Sequence, residues 1–354
     1  MIKSICLFNF RCYEYINILL ENKINIIIGK NATGKSSIIE SIYLLGTSKS
    51  FRTNTDTDMI KFESEFYSVI AETNVGKIVY SNNKGEKKIT INDEVIKSAS
   101  KYVGTVNVVL FSPEDLKLIK GEPKYRRKFL DICISQINKE YLISLMEYNK
   151  VLKERNELLK QIEESSYLNE EFNKSEKYDL LEMYTKVLVE KGKKLIKYRK
   201  EFVEKLDLET NIKVKNIKKE ENVSLLYAPN VSINDYETEI KKRIKHDIYL
   251  KATTCGPHRD DFQIILNEKN ASDFGSQGQQ RTIALAIKLG YSEILKKEKE
   301  DVIIMMDDMF GELDDERQRE LMNIFNEDFQ IIVTTTSEKY IDKEIINKSN
   351  VIKL

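Results

Sequence analysis

The chain has 354 residues, 41% of them hydrophobic and 32% charged. That is enough apolar material for a sizeable core, and the length suits two domains or one large domain carrying an inserted lobe. Its 57 basic and 57 acidic residues cancel, so overall charge gives no support to a nucleic-acid partner. The longest apolar runs fall well short of the roughly 20 residues a bilayer span needs. Four cysteines (6, 12, 133 and 255) form no CxxC pair, and the only histidines are His246 and His258. A zinc site is therefore not expected and reduced thiols are. The start of the chain lacks the pattern of a secretory signal. Together these features predict a cytoplasmic protein without a membrane partner.

The chain opens on a strand-like run from Met1 to Cys6. A second apolar run, Ile24 to Ile28, reads as a buried strand. It leads into Gly29-Lys30-Asn31-Ala32-Thr33-Gly34-Lys35-Ser36, the glycine, four residues, then Gly-Lys-Ser of a phosphate-binding loop. Ser37 to Leu45 spaces its apolar residues for a helix. In that context the loop N–H groups and the helix N-terminus point at a polyphosphate. Lys35 reaches the β- and γ-phosphates and the Ser36 hydroxyl ligates Mg²⁺. The plainer alternative is a glycine-rich turn with a solvated lysine.

Further on, Phe66–Ala71, Lys77–Tyr80 and Lys88–Ile91 look like strands, with Asn82-Asn83-Lys84-Gly85 as a hairpin turn. Val106–Phe111 is another apolar run, stopped by Ser112-Pro113. From 124 to 210 the pattern changes. Tyr141, Leu145, Tyr148, Leu152, Leu159 and Ile162, then Leu180, Tyr184, Val187, Leu188, Leu195, Tyr198, Phe202 and Leu206, predict two amphipathic helices, antiparallel across a polar loop at 163–177. Two basic clusters lie here: Lys117, Lys120, Lys124, Arg126, Arg127 and Lys128, then Lys191, Lys193, Lys194, Lys197, Arg199 and Lys200. Each reads either as a solvated helix face or as part of a nucleic-acid surface. Strand-like runs return at 225–227 and 262–266. The last ninety residues alternate helix (279–296), strand (302–306), helix (315–326) and strand (330–333).

Apolar strands alternating with helices predict an α/β fold with a mixed sheet. The phosphate loop is N-terminal and the remaining α/β pattern C-terminal, so the two chain ends must join one sheet. The expected organisation is a nucleotide-binding lobe from 1–120 and 225–354, with a helical lobe inserted at 121–224.

Val302 to Met306 ends in Asp307-Asp308. A buried strand that delivers Asp307 beside the loop suits Mg²⁺, and Asp308 sits where a carboxylate orients the attacking water. Ser276-Gln277-Gly278-Gln279-Gln280-Arg281 precedes the helix at 279–296. It is either a capped helix start or a motif whose Ser276 binds the γ-phosphate of a nucleotide held by another copy. Loop, then Ser-x-Gly-Gln-Gln, then an apolar strand with paired aspartates is the order of ABC-type ATPases.

The chain resembles the RecF family, bacterial recombination mediators related to SMC-type ATPases, over nearly its whole length. The resemblance is carried by Asn9-Phe10-Arg11-Cys12-Tyr13, Lys49-Ser50-Phe51-Arg52-Thr53, Leu110 to Leu116, and Lys120-Gly121-x-Pro123-x-x-Arg126-Arg127-x-Phe129-Leu130-Asp131. It continues in Gly256-Pro257-His258-Arg259-Asp260-Asp261, Ser276 to Thr282, and Gly311-Glu312-Leu313-Asp314. Two departures are Ala32, where a glycine is often seen, and Ser36 in place of the common threonine.

The resemblance implies an ABC-type ATPase head that dimerises on ATP and Mg²⁺. Lys35 and the loop from Gly29 to Ser37 would hold the phosphates, with Arg11 as a further phosphate contact. Ser36 and Asp307 would hold the metal, and Asp308 would be catalytic. Ser276 and Gln279 would reach the partner's nucleotide, and Asp314 the dimer interface. Thr334-Thr335-Thr336 stands where transporter ATPases place a histidine, which implies slow hydrolysis; the same threonines can simply end a strand. The glutamine usual in the lobe-linking loop is not evident near Phe111-Ser112-Pro113-Glu114. The implied function is an ATP-driven clamp on single- and double-stranded DNA junctions that helps load recombinase with RecR and RecO partners. A transporter-type ATPase subunit and a non-hydrolysing DNA scaffold are the alternatives.

Overall fold

The computed structural model describes residues 1–20, 22–162, 176–218, 220–309 and 329–354. The expected helix at 315–326 and the Gly311–Asp314 motif lie outside the described residues. The chain divides into two compact units, Met1–Asp115 with Asn216–Lys219 and Leu285–Leu354, and Leu116–Lys215 with Glu220–Ala284.

The first unit holds two sheets. Strands β1 (Ile2–Phe10), β2 (Tyr13–Leu19), β4 (Phe66–Thr73), β5 (Gly76–Asn83), β6 (Glu86–Ile91) and β7 (Glu94–Val95) form an antiparallel sheet in the order β2-β1-β4-β5-β6-β7. In β4 and β5 every second side chain is buried, Tyr67, Val69 and Ala71 opposite Ile78, Tyr80 and Asn82. The sequence alternates for that reason. The hairpin between β5 and β6 turns through Lys84 (φ 50°) and Gly85 (φ 99°), as a two-residue connection with positive φ at both positions requires.

The second sheet contains β3 (Ile24–Ile28), β8 (Asn107–Phe111), β12 (Val302–Asp307), β13 (Phe329–Thr335) and β14 (Asn350–Lys353), ordered β14-β3-β13-β12-β8. Every pairing in it is parallel. The mixture of strand directions thus lies between sheets, not within this one. β8, β12 and β13 are buried along their whole length, which is what unbroken apolar runs produce in a parallel sheet covered on both faces. Ile28 pairs with Thr335, and Thr334 with Asp307. This register brings the C-terminal ends of β3, β13 and β12 to one edge, the edge at which open parallel sheets bind ligands. Buried Gln330 ties the two sheets together. Its side chain accepts from Ile2 N (2.8 Å) and donates to the Ile2 and Leu20 carbonyls (2.6 and 3.2 Å).

The longer helices are α1 (Lys35–Thr47), α2 (Pro123–Ile137), α3 (Lys139–Gln161), α4 (Glu176–Ile217) and α5 (Gln277–Glu298). α3 and α4 are antiparallel. Gln161 meets Lys177, Arg155 meets Thr185, Glu147 meets Lys191, and Glu140 meets Lys194 and Tyr198. Most of the expected polar loop between them lies outside the described residues. β9 (Val223–Ala228), β10 (Asp261–Leu266) and β11 (Lys269–Asn270) form a three-stranded antiparallel sheet. The sequence pattern predicts these strands with the first lobe; they group with the helical unit.

The Gly256–Asp261 run binds this unit together. Fully buried Asp260 accepts from Arg199 Nη1 (3.1 Å), from Asn230 N (2.8 Å) and from the Tyr227 hydroxyl. Asp261 takes a two-point contact from Arg126 at 2.7 and 2.8 Å. Arg199 also reaches Asp131 (2.8 Å), the Pro257 carbonyl (2.6 Å) and Tyr141 (3.0 Å). In the sequence, Arg126 and Arg199 belong to basic clusters that suggest a charged surface. In the fold their charges are matched inside the unit, because buried guanidiniums need paired acceptors.

Candidate nucleotide site

The loop from Gly29 to Gly34 runs from the end of β3 into α1. Gly29 N donates to the Thr335 carbonyl (3.2 Å), and Thr33 Oγ1 donates to the Lys30 carbonyl (2.9 Å). Two residues take left-handed backbone, Ala32 (φ 66°) and Gly34 (φ 99°). A glycine in place of Ala32 would adopt that conformation freely, which gives the departure noted in the sequence a physical meaning. Tyr13 supports the loop from outside, its hydroxyl donating to the Thr33 carbonyl (2.9 Å). Burial pushes the Tyr13 phenol up to about 12.

Gly34 is the N-cap of α1 and, as a glycine, offers that helix start no side-chain cap. Uncapped N–H groups at a helix N-terminus attract an anion. Lys35 is 6% exposed, and its ammonium donates to the Gly29 and Lys30 carbonyls at 2.8 and 2.9 Å, which among the described residues leaves its third proton for a ligand. Ser37 N closes the first turn onto the Gly34 carbonyl (2.9 Å).

The Ser36 hydroxyl donates to Asp307 Oδ1 at 3.0 Å, so residues 271 positions apart meet at the sheet edge. Asp307 is 9% exposed. Burial raises its carboxyl from the usual range, against the hydrogen bonds from Thr334 and Ser36, which lower it. Thr334 Oγ1 donates to the same Oδ1 (2.8 Å) and accepts from Asp308 N (3.0 Å). Thr334 and Thr335 are the last two residues of β13, both buried, and Thr334 organises the paired aspartates. Asp308 has φ 51° and an exposed side chain.

A cavity of about 560 Å³ opens over the loop. Asn31, Ala32, Gly34, Lys35, Ser36 and Ser37 line one side of it. Arg11, Cys12, Arg52, Asp58, Ile60 and Asp308 line the rest. None of Phe111 to Glu114 reaches it. Arg11 donates through Nε and Nη2 to Glu40 (2.8 and 2.6 Å) and through Nη1 to the Asp58 carbonyl (2.7 Å). Sequence reasoning assigns no role to Arg52, Ile60 or Glu40. The one readable signal is Glu40 itself, an acid amid the apolar residues Ile38, Ile39 and Ile42.

Ser276 and Gln279 belong to the second unit. Ser276 is exposed at the start of α5. Its backbone N–H donates to Gln279 Oε1 (2.8 Å) and its hydroxyl accepts from Gln279 N (3.3 Å), a reciprocal cap that, among the described residues, leaves the hydroxyl proton free. Gln279 Nε2 donates to Glu221 (3.2 Å).

The arrangement is that of a polyphosphate cradle. Oxygen donors Ser36 and Asp307 stand in contact, an exposed carboxylate lies beside them, and arginines form the far wall. Comparison with known proteins gives the family. The family model described as RecF/RecN/SMC N terminal domain matches residues 1–117. A DNA replication and repair protein RecF from Bacillus mycoides (strain KBAB4) is 37% identical over 374 residues, covering 99% of this chain and 96% of the relative. The protein of that name from Clostridium novyi (strain NT) is 38% identical over 360 residues, covering 97% and 96%. A solved structure of the recombination mediator protein RecF-ATP in the RecFOR pathway superposes with a TM-score of 0.87 at 33% identity, over 96% of this chain and 93% of that one. The Smc head domain derived from Pyrococcus furiosus, at 17% identity and a TM-score of 0.53, shares the fold. With relatives of this identity along nearly its entire length, the chain belongs to the RecF family of DNA replication and repair proteins.

Proposed function

We propose that this chain is an ATP-dependent DNA clamp of recombinational repair and replication restart. It binds ATP, pairs with a second copy around two nucleotides, and grips DNA at single-/double-strand junctions. Hydrolysis, slow and DNA-stimulated, releases it. RecR and RecO are its partners in loading recombinase, in the cytoplasm. The observation that carries the reading is the contact of Ser36 with Asp307 at the mouth of the phosphate loop, where Ser36 also lines a cavity that arginines complete. The RecF-ATP structure supports the choice of nucleotide. The ATPase lobe comprises 1–120 and 225–354 and the inserted lobe 121–224 in this reading, although the compact units divide nearer 284.

Mg²⁺ fits the donor set. A hydroxyl and a carboxylate at 3.0 Å are hard oxygen ligands of the kind the ion uses together with substrate phosphates. Bound there, the ion supplies charge neutralisation to the phosphates. The other roles fall to the chain. Loop N–H groups and Lys35 hold the β- and γ-phosphates. Asp308 orients the attacking water. Its backbone is fixed by Thr334, and its side chain opens on the cavity. Ser276, from the second copy, donates its free proton to the γ-phosphate. The hydroxyls of Thr334 to Thr336 are poor proton carriers, so turnover is slow.

The test is the affinity of a labelled junction DNA measured against salt, with and without ATP. ATP should tighten binding and steepen the salt dependence, because closure collects basic faces from two chains onto one run of phosphates. Affinity that ignores ATP overturns the clamp.

A further inference from the structure

Glu40 lies four residues after Ser36 on α1 and is fully buried. A buried carboxylate is tolerated only where donors surround it. Arg11 gives it two hydrogen bonds, at 2.8 and 2.6 Å. Arg52 Nη1 adds one at 3.3 Å and Ser50 Oγ another at 2.5 Å. These donors come from two separate segments, the turn between β1 and β2 and the loop that follows α1. Both arginines line the nucleotide cavity. Arg11 has five N–H protons, of which Glu40 and the Asp58 carbonyl take three, so among the described residues two remain for a ligand. Its backbone sits at φ 56°, an unfavourable region for arginine. Such strain persists where surrounding contacts over-determine a site.

We propose that Glu40 is a positioning residue of the nucleotide site. It holds the Arg11 and Arg52 guanidiniums in register with the phosphate loop, so that they meet the polyphosphate without rearranging. This rests on the nucleotide reading above. Simple electrostatics acts in the opposite direction. A carboxylate behind an anion site repels the anion, so on charge alone its removal strengthens binding. Preorganisation predicts the reverse.

Glu40→Gln keeps the shape and removes the charge. Titration calorimetry on the full chain, with ATP and with inorganic tripolyphosphate, reads the effect beside a thermal melt of the same samples. We expect E40Q to weaken both ligands about tenfold, as when a single charge-assisted hydrogen bond to the phosphates is removed. In a background carrying both Arg11→Ala and Arg52→Ala the same change should add much less, because Glu40 acts through the two arginines. Should E40Q fail to fold, Ser50→Ala removes a bond to Glu40, together with the bonds that the hydroxyl accepts from Arg52 N and Thr53 N, leaves every cavity-lining side chain in place, and should weaken ATP in the same direction. Unchanged or tighter binding in these variants, with or without a lower melting temperature, overturns the proposal. The parent reading is judged separately: it fails if the wild-type chain does not bind ATP, or if Lys35→Ala binds it equally well.

Discussion

Gly34 carries two constraints at once. Its φ is 99°, and a Cβ built there lies 2.5 Å from Tyr13 Oη and 2.7 Å from Cys12 Sγ. A side chain at this position meets both the left-handed penalty, about 1–2 kcal/mol, and the displacement of Tyr13 from the Thr33 carbonyl. Gly34→Ala should therefore weaken ATP binding at least about tenfold, since the loop N–H groups move with Tyr13. Calorimetry against wild type checks it, and unchanged affinity refutes it. Ala32 behaves differently. It also has positive φ, 66°, but its side chain is exposed. Ala32→Gly relieves the backbone at about 1 kcal/mol and restores roughly 0.4–1 kcal/mol of chain entropy to the unfolded state. The two nearly cancel. Urea unfolding should show a change within about 1 kcal/mol, on the stabilising side, with nucleotide binding kept. A clear loss of stability would mean that the Ala32 methyl packs in a way its exposure does not reveal.

Among the elements, those with local signals were legible. The phosphate loop, α1, the hairpin at Lys84-Gly85 and the buried strands β3, β8, β12 and β13 announce themselves by apolar runs and turn residues. The sequence also required both chain ends in one sheet, since the loop and the acidic strand had to meet. What it could not carry was long-range pairing. Nothing local says that β13 lies between β3 and β12, or that β14 closes the far side of β3. For the same reason Arg199 reads as one more surface cation, although its acceptors lie 58 to 68 positions away. His258 makes a long-range contact of the same kind, with Tyr148 110 positions away. Its Nε2 donates to the Thr253 carbonyl (2.9 Å), so Nδ1 is bare and accepts from Tyr148 (2.7 Å). Burial, with Arg259 and Arg127 nearby, lowers its pKa to about 4. Unfolded, the imidazole takes a proton below its ordinary 6.5; folded, it stays neutral down to about 4. Across that window the unfolded chain binds the extra proton, so stability is whole above pH 6.5 and falls as pH drops towards 4. The full loss is at most about 3 kcal/mol, less because the ring is partly exposed. His258→Gln should flatten that part of the pH–stability curve; an equal slope in both proteins would place the dependence elsewhere.

At the scale of the whole molecule, the free chain holds Ser276 as an exposed helix cap with its hydroxyl proton free. Its net charge is zero, so no long-range repulsion opposes the pairing of two copies. If each nucleotide is shared between the Lys35 of one chain and the Ser276 of another, the two residues act in trans, and defects in them complement. If Asp308 orients the attacking water as proposed, Asp308→Asn blocks turnover, and in that background ATP should dimerise the chain by light scattering. Adding Ser276→Arg should abolish this, because a bulky side chain fills the space the phosphate needs. Adding Lys35→Ala should abolish it too, through loss of the nucleotide. A mixture of the two variants regains one complete site per pair. The Ser276→Arg chain still grips ATP through its own Lys35, and the Lys35→Ala chain donates an intact Ser276. The mixture should therefore associate with ATP, at higher concentrations than the parent because one site stabilises the pair in place of two. A Ser276→Arg chain that dimerises alone as readily as its parent would show that Ser276 has no part in the shared site.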